Sequence, residues 1–490
     1  MQVDQVAAPN DLTPDLLTSI LTSHYNKSCT FPTELDNARD DDDVSLEWQP
    51  LGRGLMSNVQ ILVVQYASSF HSIDENKELS ESKAVRKNIF PNSFLAKFQK
   101  PEIPMLDLFS VEGRFYQLAQ EEFAAASFPF NLVNAIASGP SWLLLEYIPP
   151  EKITSIDVHL GCPPAKFDDL IIRLAKMHAR CWISNTSTEH HHDRADITSS
   201  LTVSPSSNSI FLSQVLKKHA SNLSSTPGVG HSLPPLERQK QFLAAWPAVR
   251  ERLISSTSCT PSASRGHRDD VLSWEKHLRR MDSIVEWTAR SSRIKEIAHR
   301  VTERKCTLIH GDYHVGNMLF PVTQHADPES NHDAASMPWL VDWSMAGVGN
   351  PLVDLVFFLV VGANGIPINE GMTETEANDI TSHIVGRVIS QYYRALNEDA
   401  TTRYDATTKN ASLTMKTSSL LPWEIFLSMF RQCLLNQFII LVCYDSLCRN
   451  MANSFPDGMA KVYNDHFDRV NARCVRMLLS DYGWVDNILD

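Results

Sequence analysis

Residues 308–320 read LIHGDYHVGNMLF and place a short polar loop between apolar runs. His310, Asp312 and Asn317 all lie in that loop, and the residues before and after it have the apolar composition of buried strands. A solvated surface loop does not need such flanks. The pattern therefore predicts a strand–loop–strand unit that holds polar side chains in fixed positions at the mouth of a cleft.

The whole chain has 490 residues, which is too long for one ordinary hydrophobic core and predicts two or three domains. Its apolar content of 43% and charged content of 21% are typical of a globular protein. The formal net charge of −13 argues against a nucleic-acid partner, because phosphate binding along a strand needs a basic face. A nucleotide remains compatible, since a few groups and a metal ion can hold it.

The nine cysteines are scattered and odd in number, and they form neither a C-x-x-C pair nor a zinc-binding spacing. Free thiols in a reducing compartment are the simplest interpretation. The first residues lack the basic region and apolar run of a signal peptide. The apolar stretches at residues 355–361 and 434–444 are shorter than a membrane span. We therefore expect a cytoplasmic protein with no membrane span.

Two β-rich runs within residues 46–66 flank a glycine-bearing turn, which predicts a β-hairpin. The turn consists of Gly52, Arg53, Gly54, Leu55, Met56 and Ser57. Glycine lets backbone N–H groups come close to phosphate oxygens, so this turn is a candidate nucleotide-binding loop. An ordinary hairpin turn would explain the same residues.

The next elements are a strand predicted over residues 93–98 and an amphipathic helix predicted over residues 106–122. Lys97 on the strand can direct its ammonium group towards the α- and β-phosphates of a nucleotide. Glu112 on the helix can pair with Lys97, because either charge would be costly in a cleft wall without the other. The two residues are therefore candidates for phosphate binding.

A buried strand predicted over residues 142–148 ends at a Pro-Pro pair. The residues that would offer backbone groups to an adenine ring are Glu146, Tyr147 and Ile148. From about residue 165 the pattern is mainly helical. We therefore expect an α+β protein with a small β-rich N-lobe over residues 1–148 and a large helical C-lobe over residues 149–490.

The polar loop has the residue types that phosphoryl transfer requires. That reaction needs an acceptor hydroxyl oriented by a carboxylate and Mg²⁺ ions held against the phosphates of ATP by oxygen ligands. Asn317 follows Asp312 by five residues, and Asp342 follows a third predicted strand at residues 339–341. Asp312 would accept the hydroxyl proton, while Asn317 and Asp342 would hold the metal.

The order of the motifs resembles that of a known family. The matching segments are LTPDLLTSIL, PLGRGLMSNVQIL, SFLAKF, EGRFYQ, WLLLEYI, LGCPPAKFDDLIIRLAKMHARCW, TLIHGDYHVGNMLF and WLVDWSMAGVGNPLVDLVFFL. Over roughly residues 10–365 the chain resembles the aminoglycoside phosphotransferase/choline kinase superfamily, and most closely its CHK-like and ecdysteroid-kinase-like branch. The resemblance implies a protein-kinase-like bilobal fold and an ATP- and Mg²⁺-dependent kinase that phosphorylates a hydroxyl group of a small molecule.

The resemblance also implies a role for each matched residue. Asp312 would be the catalytic base, and Asn317 and Asp342 the Mg²⁺ ligands. Lys97 would bind phosphate and Glu112 would anchor it. These assignments agree with those made from the residue types alone.

Two features depart from the family pattern. Gly311 stands where choline kinases usually have Asn, which weakens choline as the acceptor. About 20 residues separate Phe320 from Asp342, where a tight turn is usual. By the same resemblance His310 braces the loop, and Asp354, which begins a helix, is structural.

A nucleotide-binding pseudokinase that serves as an interaction module is the alternative from another class. A degenerate site should have lost Lys97, Asp312, Asn317 or Asp342, and the sequence keeps all four. A protein kinase is disfavoured, because no activation segment with an A-P-E-like end follows Asp342. The acceptor stays open between cationic amino alcohols or aminoglycosides and an apolar, steroid-like alcohol.

Overall fold

The computed structural model describes residues 8–13, 16–17, 19–21, 23, 44–53, 57–66, 93–99, 108–120, 128–183, 216, 223, 234–258, 267–290, 293–303, 306–322, 337–362, 374–405, 420–455 and 457–480. The chain divides into two compact units. The first comprises Met1–Glu121, Asn131–Thr154 and Phe320–Ser344, and the second comprises Glu122–Phe130, Ser155–Leu319 and Met345–Asp490.

The described residues form strands and helices in the following order. The strands are β1 (Val44–Arg53), β2 (Ser57–Tyr66), β3 (Ser93–Gln99), β4 (Ala135–Ser138), β5 (Trp142–Glu146), β6 (Ile153–Ser155), β7 (Thr307–Ile309), β8 (Met318–Pro321), β9 (Trp339–Leu340) and β10 (Gly347–Gly349). The helices are α1 (Leu108–Leu118), α2 (Pro164–Arg180), α3 (Pro235–Ser258), α4 (His267–Ala289), α5 (Arg293–Glu303), α6 (Leu352–Phe357), α7 (Glu374–Asp405), α8 (Trp423–Ala452) and α9 (Asp457–Leu479).

The first unit contains a five-stranded antiparallel sheet in the order β1-β2-β3-β5-β4. Successive side chains of a strand point to opposite faces. In β3, Phe94, Ala96 and Phe98 lie in a buried apolar cluster on one face, which leaves Lys97 on the other. The cluster consists of Leu12, Leu17, Ile20, Leu21, Leu62, Phe94, Ala96, Phe98, Ile136, Trp142 and Leu144.

Helix α1 packs closely against β4 at Gly113. A Cβ atom added at Gly113 would lie 2.6 Å from the Cβ of Ser138, which is closer than real Cβ contacts come. Glycine in a helix costs about 0.5–1 kcal/mol relative to alanine. The close packing of the helix therefore depends on this residue, whose neighbour Glu112 is the predicted partner of Lys97.

The segment Phe320–Ser344 belongs to the first unit although it follows most of the second unit in sequence. A small sheet is formed by β9 and by the residues of β6 and β8 that belong to this unit. The indole of Trp343 stacks on Phe115 of α1, with ring centroids 3.8 Å apart and an angle of 12° between the planes. This contact fixes the residues next to Asp342 against the helix that carries Glu112.

The second unit is mainly helical, and β7 and β10 form an antiparallel pair beside the polar loop. Its longest apolar helix is α8. Asp445 in that helix is buried and forms hydrogen bonds with Arg449 and Asn471 and an ion pair with Arg252. These contacts tie α8 to α3 and α9 in the interior of the unit.

Helix α8 is also the one helix among the described residues that is long and apolar enough to cross a membrane. It has 30 residues, and its most apolar window has a mean hydropathy of 1.7 and is 67% buried. A mostly buried core helix of a soluble protein can meet the same criteria of length and composition. From the sequence we expected no membrane span at residues 434–444, because that apolar stretch is too short. This expectation is not confirmed, since the stretch lies within a helix that is itself long enough to span a membrane.

The α+β class is confirmed, since the described residues are mostly helical with a small antiparallel sheet. The hairpin predicted over residues 46–66 is present as β1 and β2, and the strands and helix predicted around Lys97 and Glu112 are present as β3, β5 and α1. The protein-kinase-like bilobal arrangement and the domain boundary after residue 148 stay predictions.

Candidate active site

In the first unit the structure brings together Lys97, Glu112 and Asp342. The ammonium nitrogen of Lys97 lies 2.8 and 3.0 Å from the two carboxylate oxygens of Glu112. It also lies 3.5 Å from Oδ1 of Asp342. Lys97 is 9% exposed and Glu112 is 1% exposed. The ammonium group of Lys97 therefore lies within ion-pair distance of two carboxylates.

The charges of this cluster shift the pKa values of its members. Burial alone would lower the pKa of Lys97, but Asp342 and Glu112 outweigh it and raise the pKa above its ordinary value. Burial also raises the pKa of Glu112 to about 7, because the attraction of Lys97 only partly offsets it and Asp342 repels the second negative charge. Lys97 therefore stays charged, and the two carboxylates share its one positive charge.

Asp342 has an unusual backbone conformation. Its φ is 64°, and it is the one non-glycine residue with positive φ in the part of the chain that the structure describes. Such conformations cost energy and occur often at functional sites. The hydroxyl of Ser344 donates to Oδ1 of Asp342 at 2.8 Å, and the indole N–H of Trp343 donates to the carbonyl of Leu340 at 3.0 Å. These bonds hold the carboxylate in place beside Lys97.

Tyr116 is a member of this cluster that the sequence interpretation missed. It lies four residues after Glu112 on the same face of α1 and is completely buried. Burial and the charges of Glu112 and Asp342 raise the pKa of its hydroxyl well above the ordinary value. The helical spacing from Glu112 was the available signal.

In the second unit the structure brings together Asp312 and Asn317. The amide nitrogen of Asn317 donates to Oδ2 of Asp312 at 3.0 Å and to its backbone carbonyl at 2.9 Å. The Nε2 atom of His314 lies 3.5 Å from the same carboxylate oxygen. Nδ1 of His314 accepts a hydrogen bond from the N–H of Gly316 at 3.0 Å. The loop thus orients the Asp312 carboxylate from two sides.

The surroundings of Asp312 keep it ionised. Burial alone would raise the pKa of its carboxyl, but the charges of His314 and His310 and the hydrogen bond from Asn317 lower the pKa below its ordinary value. A carboxylate that is ionised at neutral pH and held in a fixed direction can orient a hydroxyl group and accept its proton.

Asp354 holds the backbone at the start of the polar loop. Its carboxylate accepts hydrogen bonds from the backbone N–H groups of His310 at 2.7 Å and Gly311 at 2.8 Å. The loop turns at Gly311, whose φ of 84° favours glycine. His178 is completely buried between Asp354 at 3.2 Å and Tyr392 at 2.5 Å. Asp354 is therefore structural, as predicted, and its two backbone contacts were not foreseen.

The predicted turn of the hairpin is only partly described. Gly54 and Met56 lie outside the described residues. Gly52 lies in β1 after an irregularity in strand register that follows Pro50, and Ser57 begins β2. Their proposed role in phosphate binding stays a prediction.

The predicted adenine-binding segment lies at a pocket of about 620 Å³ in the first unit. Its lining includes Glu146, Tyr147 and Ile148 but does not include Lys97. The backbone N–H of Glu146 already donates to the carbonyl of Asn134 at 2.8 Å, and this N–H group is therefore engaged. The proposed contacts of Glu146, Tyr147 and Ile148 with adenine stay a prediction.

The predicted metal ligands fit Mg²⁺ in their chemistry. The amide nitrogen of Asn317 is held by Asp312, which leaves its oxygen as the donor atom for a cation. No group of three or more His, Cys, Asp and Glu side chains in the described part of the chain has metal-binding geometry. Mg²⁺ does not need one, since one or two protein oxygens, phosphate oxygens and water commonly hold it. Asp342 belongs to the first unit and Asn317 to the second. Their shared coordination of one ion stays a prediction.

Comparison with known families identifies the segment around the polar loop. Residues 252–365 match the model of the family described as the ecdysteroid kinase-like family. This segment is ecdysteroid kinase-like. The predicted resemblance is therefore confirmed for the part of the chain that contains Asp312, Asn317 and Asp342. The ecdysteroid kinase-like segment covers less than a quarter of the 490 residues.

The solved structures similar to the chain include small-molecule kinases. One is an ethanolamine kinase of Plasmodium vivax, with 12% identity over 96% of this chain and 90% of that chain and a TM-score of 0.33. Another is the ADP-bound aminoglycoside phosphotransferase APH(2'')-Ib, with 12% identity over 91% of this chain and 99% of that chain and a TM-score of 0.29. TM-scores this low support no inference about function. No curated protein matches the chain.

Proposed function

We propose that the protein transfers the γ-phosphate of ATP to a hydroxyl group of a small molecule. The observation that carries this proposal is the loop in which Asn317 donates to the ionised Asp312 at 3.0 Å. The contact supports the proposal because a carboxylate that can accept a proton and an amide whose oxygen can bind Mg²⁺ are the pair of groups that phosphoryl transfer from ATP uses. The loop also lies inside the ecdysteroid kinase-like segment.

Each residue has a defined task in this proposal. Asp312 orients the acceptor hydroxyl and takes its proton. Lys97, held by Glu112, binds the α- and β-phosphates. Asn317 and Asp342 hold Mg²⁺, which when bound neutralises the negative charge of the phosphate oxygens. The deeply buried contact between Lys97 and Glu112 supports this assignment, because a buried ion pair is often no more stabilising than apolar residues in its place, so that its presence favours a functional role.

We also propose that the protein acts in the cytoplasm without nucleic-acid partners. The described cysteines are all free thiols: Cys162, Cys181, Cys306, Cys433, Cys443, Cys448 and Cys474. Burial raises the pKa of several of them, for example that of Cys162 to about 12, which keeps them protonated and unreactive. A reducing compartment is compatible with such thiols.

The decisive experiment is a screen for acceptor-dependent ADP release. The purified full-length protein is incubated with ATP and Mg²⁺ and with choline, ethanolamine, aminoglycosides, sugars or sterols, and the same reactions are repeated with EDTA. We expect at least one acceptor to stimulate ADP release only when Mg²⁺ is present.

The Asp342→Asn variant tests the assignment of Asp342 as a metal ligand. It should bind Mg²⁺·ATP more weakly and should need more Mg²⁺ for half-maximal activity. An unchanged dependence on Mg²⁺ would contradict the ligand role of Asp342. If ATP does not bind to the unmodified protein at all, the proposed function itself is wrong.

A further inference from the structure

Three completely buried polar side chains, each from a different helix of the second unit, meet next to the start of the polar loop. His178 lies on α2, Asp354 on α6 and Tyr392 on α7. The Nε2 atom of His178 lies 3.2 Å from Oδ2 of Asp354, and its Nδ1 atom lies 2.5 Å from the hydroxyl oxygen of Tyr392. We call this series of contacts the buried hydrogen-bond chain. The roles assigned above include neither His178 nor Tyr392.

The direction of each hydrogen bond in the chain follows from Asp354. Its Oδ2 accepts the backbone N–H of His310 at 2.7 Å, and its Oδ1 accepts that of Gly311 at 2.8 Å. A carboxylate that receives N–H groups on both oxygens acts as an acceptor, so Nε2 of His178 donates the proton of their contact. When Nε2 carries the proton of the ring, Nδ1 is an acceptor. Nδ1 therefore accepts the O–H of Tyr392.

The surroundings of Tyr392 keep its hydroxyl protonated and its ring in place. Burial and the negative charge of Asp354 raise the pKa of the hydroxyl well above its ordinary value. The ring lies edge-on to that of His178, with centroids 6.0 Å apart, and stacks on Phe426 of α8, with centroids 6.1 Å apart. Tyr392 is therefore a fixed hydrogen-bond donor at the end of the chain.

Helix α2 has two further contacts with residues on either side of His310. The hydroxyl of Thr307 in β7 donates to the carbonyl of His178 at 2.8 Å, and the hydroxyl of Tyr313 donates to the carbonyl of Leu170 at 3.0 Å. Both hydroxyl-bearing residues are completely buried. The backbone of His178 is therefore held against the segment that contains the polar loop, while its ring contacts Asp354.

The carboxylate of Asp354 can hold the loop in one conformation only if the carboxylate itself has one orientation. A rotation of this side chain would redirect the two N–H groups that it accepts, and Asp312 is the residue after Gly311. A displacement of about 1 Å at a reacting group can lower the rate about 10²-fold. The ring that donates to Asp354 can therefore affect the direction of the Asp312 carboxylate.

We propose that His178 and Tyr392 are positioning residues that act on the polar loop through Asp354. Tyr392 fixes the ring of His178, and the ring fixes the orientation of the Asp354 carboxylate. That carboxylate fixes the backbone from which the side chain of Asp312 extends. This inference rests on the proposed function and adds two residues to its machinery. The alternative is a purely structural role, in which the two side chains only fill the interior of the unit.

The first test observes the backbone N–H of Gly311 by NMR, without any reaction. His310-Gly311 is the one His-Gly pair in the sequence. Deuterated full-length protein labelled with carbonyl-¹³C histidine and ¹⁵N glycine therefore gives a single HNCO signal. We expect this signal to move in Tyr392→Phe and to move further in His178→Leu, because the Asp354 carboxylate that accepts the N–H changes its orientation.

His178→Gln separates the hydrogen-bond donor from the rest of the ring. A glutamine amide can place an N–H near the position of Nε2 and keep the bond to Asp354, whereas leucine has no donor. We expect the Gly311 signal to stay near its original position in His178→Gln. Urea unfolding checks that each variant is folded under the conditions used. Tyr392→Phe removes a single oxygen atom, so the test stands even if His178→Leu does not fold.

Tyr393→Phe is the matched control. Tyr393 is the next residue on α7, is half-buried and packs edge-on to the same Phe426, with centroids 5.2 Å apart. The substitution removes the same hydroxyl group from the same helix. It should leave the Gly311 signal in place and turnover unchanged.

The second test measures turnover in the ADP-release assay with an acceptor that the screen identifies. Tyr392→Phe should lower kcat about threefold to tenfold, as expected for the loss of one hydrogen bond. His178→Leu should lower kcat about 10–10²-fold, and His178→Gln should recover most of that loss. KM for ATP should change little in all three variants, because Lys97 and Glu112 of the first unit keep their contact.

The outcomes decide between positioning and a purely structural role. A Gly311 signal that stays in place in Tyr392→Phe and His178→Leu would overturn the inference, as would a signal that moves while kcat stays normal. Equal effects in Tyr393→Phe would also overturn it. In each of these cases the kinase assignment stands. If no acceptor stimulates ADP release and ATP does not bind, the proposed function is wrong, and the Gly311 signal then decides separately whether His178 and Tyr392 hold the loop.

Discussion

The two units of the protein hold their candidate functional residues by different means. In the first unit, Lys97 is held by opposite charges, with Glu112 at 2.8 Å and Asp342 at 3.5 Å. In the second unit, the loop around Asp312 is held by hydrogen bonds between its backbone and the buried Asp354. The stability of the charged cluster therefore depends on keeping both its positive and its negative side chains. The loop in the second unit can lose the carboxylate of Asp312 and keep its conformation, because Asp354 holds its backbone.

The largest expected effect tests whether the loop of the second unit keeps its structure without its reactive group. Asp312→Ala should lower turnover by about 10²–10⁴, because the positioned proton acceptor is lost. The free energy of unfolding should change by less than about 1 kcal/mol, since Asp354 still holds the loop. Steady-state kinetics and urea unfolding measure the two quantities.

Asp168→Ala is the matched control for Asp312→Ala. Asp168 is a half-buried aspartate in α2 that pairs with Arg387 far from the polar loop in sequence, and its loss should leave turnover unchanged. Near-normal turnover of Asp312→Ala would show that its assigned role is wrong.

The next effect concerns the first unit. Lys97→Met leaves two carboxylates facing each other without their cation, and breaking a buried ion pair in this way costs about 3–5 kcal/mol. Glu112→Gln should cost less, because Lys97 keeps Asp342 at 3.5 Å. Urea unfolding of both variants measures the difference. Equal losses would mean that Asp342 does not share the ammonium group.

A smaller effect is expected where α1 packs against β4. Gly113→Ala would place a methyl group 2.6 Å from the Cβ of Ser138, and overpacking of this kind costs about 1–3 kcal/mol. Because Glu112 is the adjacent residue, the substitution should also raise KM for ATP by displacing the partner of Lys97. The double variant Gly113→Ala/Ser138→Gly should restore stability, and its failure to do so would exclude this contact as the cause.

The most gradual effect is a dependence of stability on pH. The pKa of Glu112 is raised from its ordinary value of 4.5 to about 7 in the folded state. The folded protein therefore keeps a proton that the unfolded chain releases above about pH 4.5. The stabilising contribution of this group is complete below pH 4.5 and is lost as the pH rises towards 7, with a slope of at most about 1.4 kcal/mol per pH unit.

Glu112→Gln isolates this contribution, because glutamine does not titrate. The free energy of unfolding of the unmodified protein and of the variant should be measured in urea at several pH values between 4.5 and 7. The difference between them should change with pH in the stated direction. A constant difference would show that Glu112 is ionised throughout this range.

Contacts between neighbouring elements could be predicted from the sequence. Strand periodicity separates Lys97 from the apolar face of β3, and helical spacing places Glu112 on the next element, so their pairing follows from local patterns. Tyr116 could have been found by counting one further helical turn from Glu112. The polar loop with Asp312 and Asn317 is local as well, since one hydrogen bond connects residues five positions apart.

Contacts between distant segments could not be predicted in the same way. The bonds from Asp354 to the N–H groups of His310 and Gly311 join residues more than 40 positions apart and depend on how α6 packs beneath the loop. The left-handed backbone of Asp342 lies next to Trp343, whose indole stacks on Phe115 from a segment more than 200 positions earlier. No periodicity records such packing, so these features appear only in three dimensions.

The carboxylate of Asp354 has a consequence for the dynamics of the second unit. It occupies the amide protons of His310 and Gly311 in a completely buried position, where water reaches them only when the surrounding helices open. These two amides should therefore exchange with deuterium as slowly as those of the deepest helices. The segment in which we place the chemistry would then be among the most rigid of its unit, and access to the site would have to be controlled by other parts of the chain.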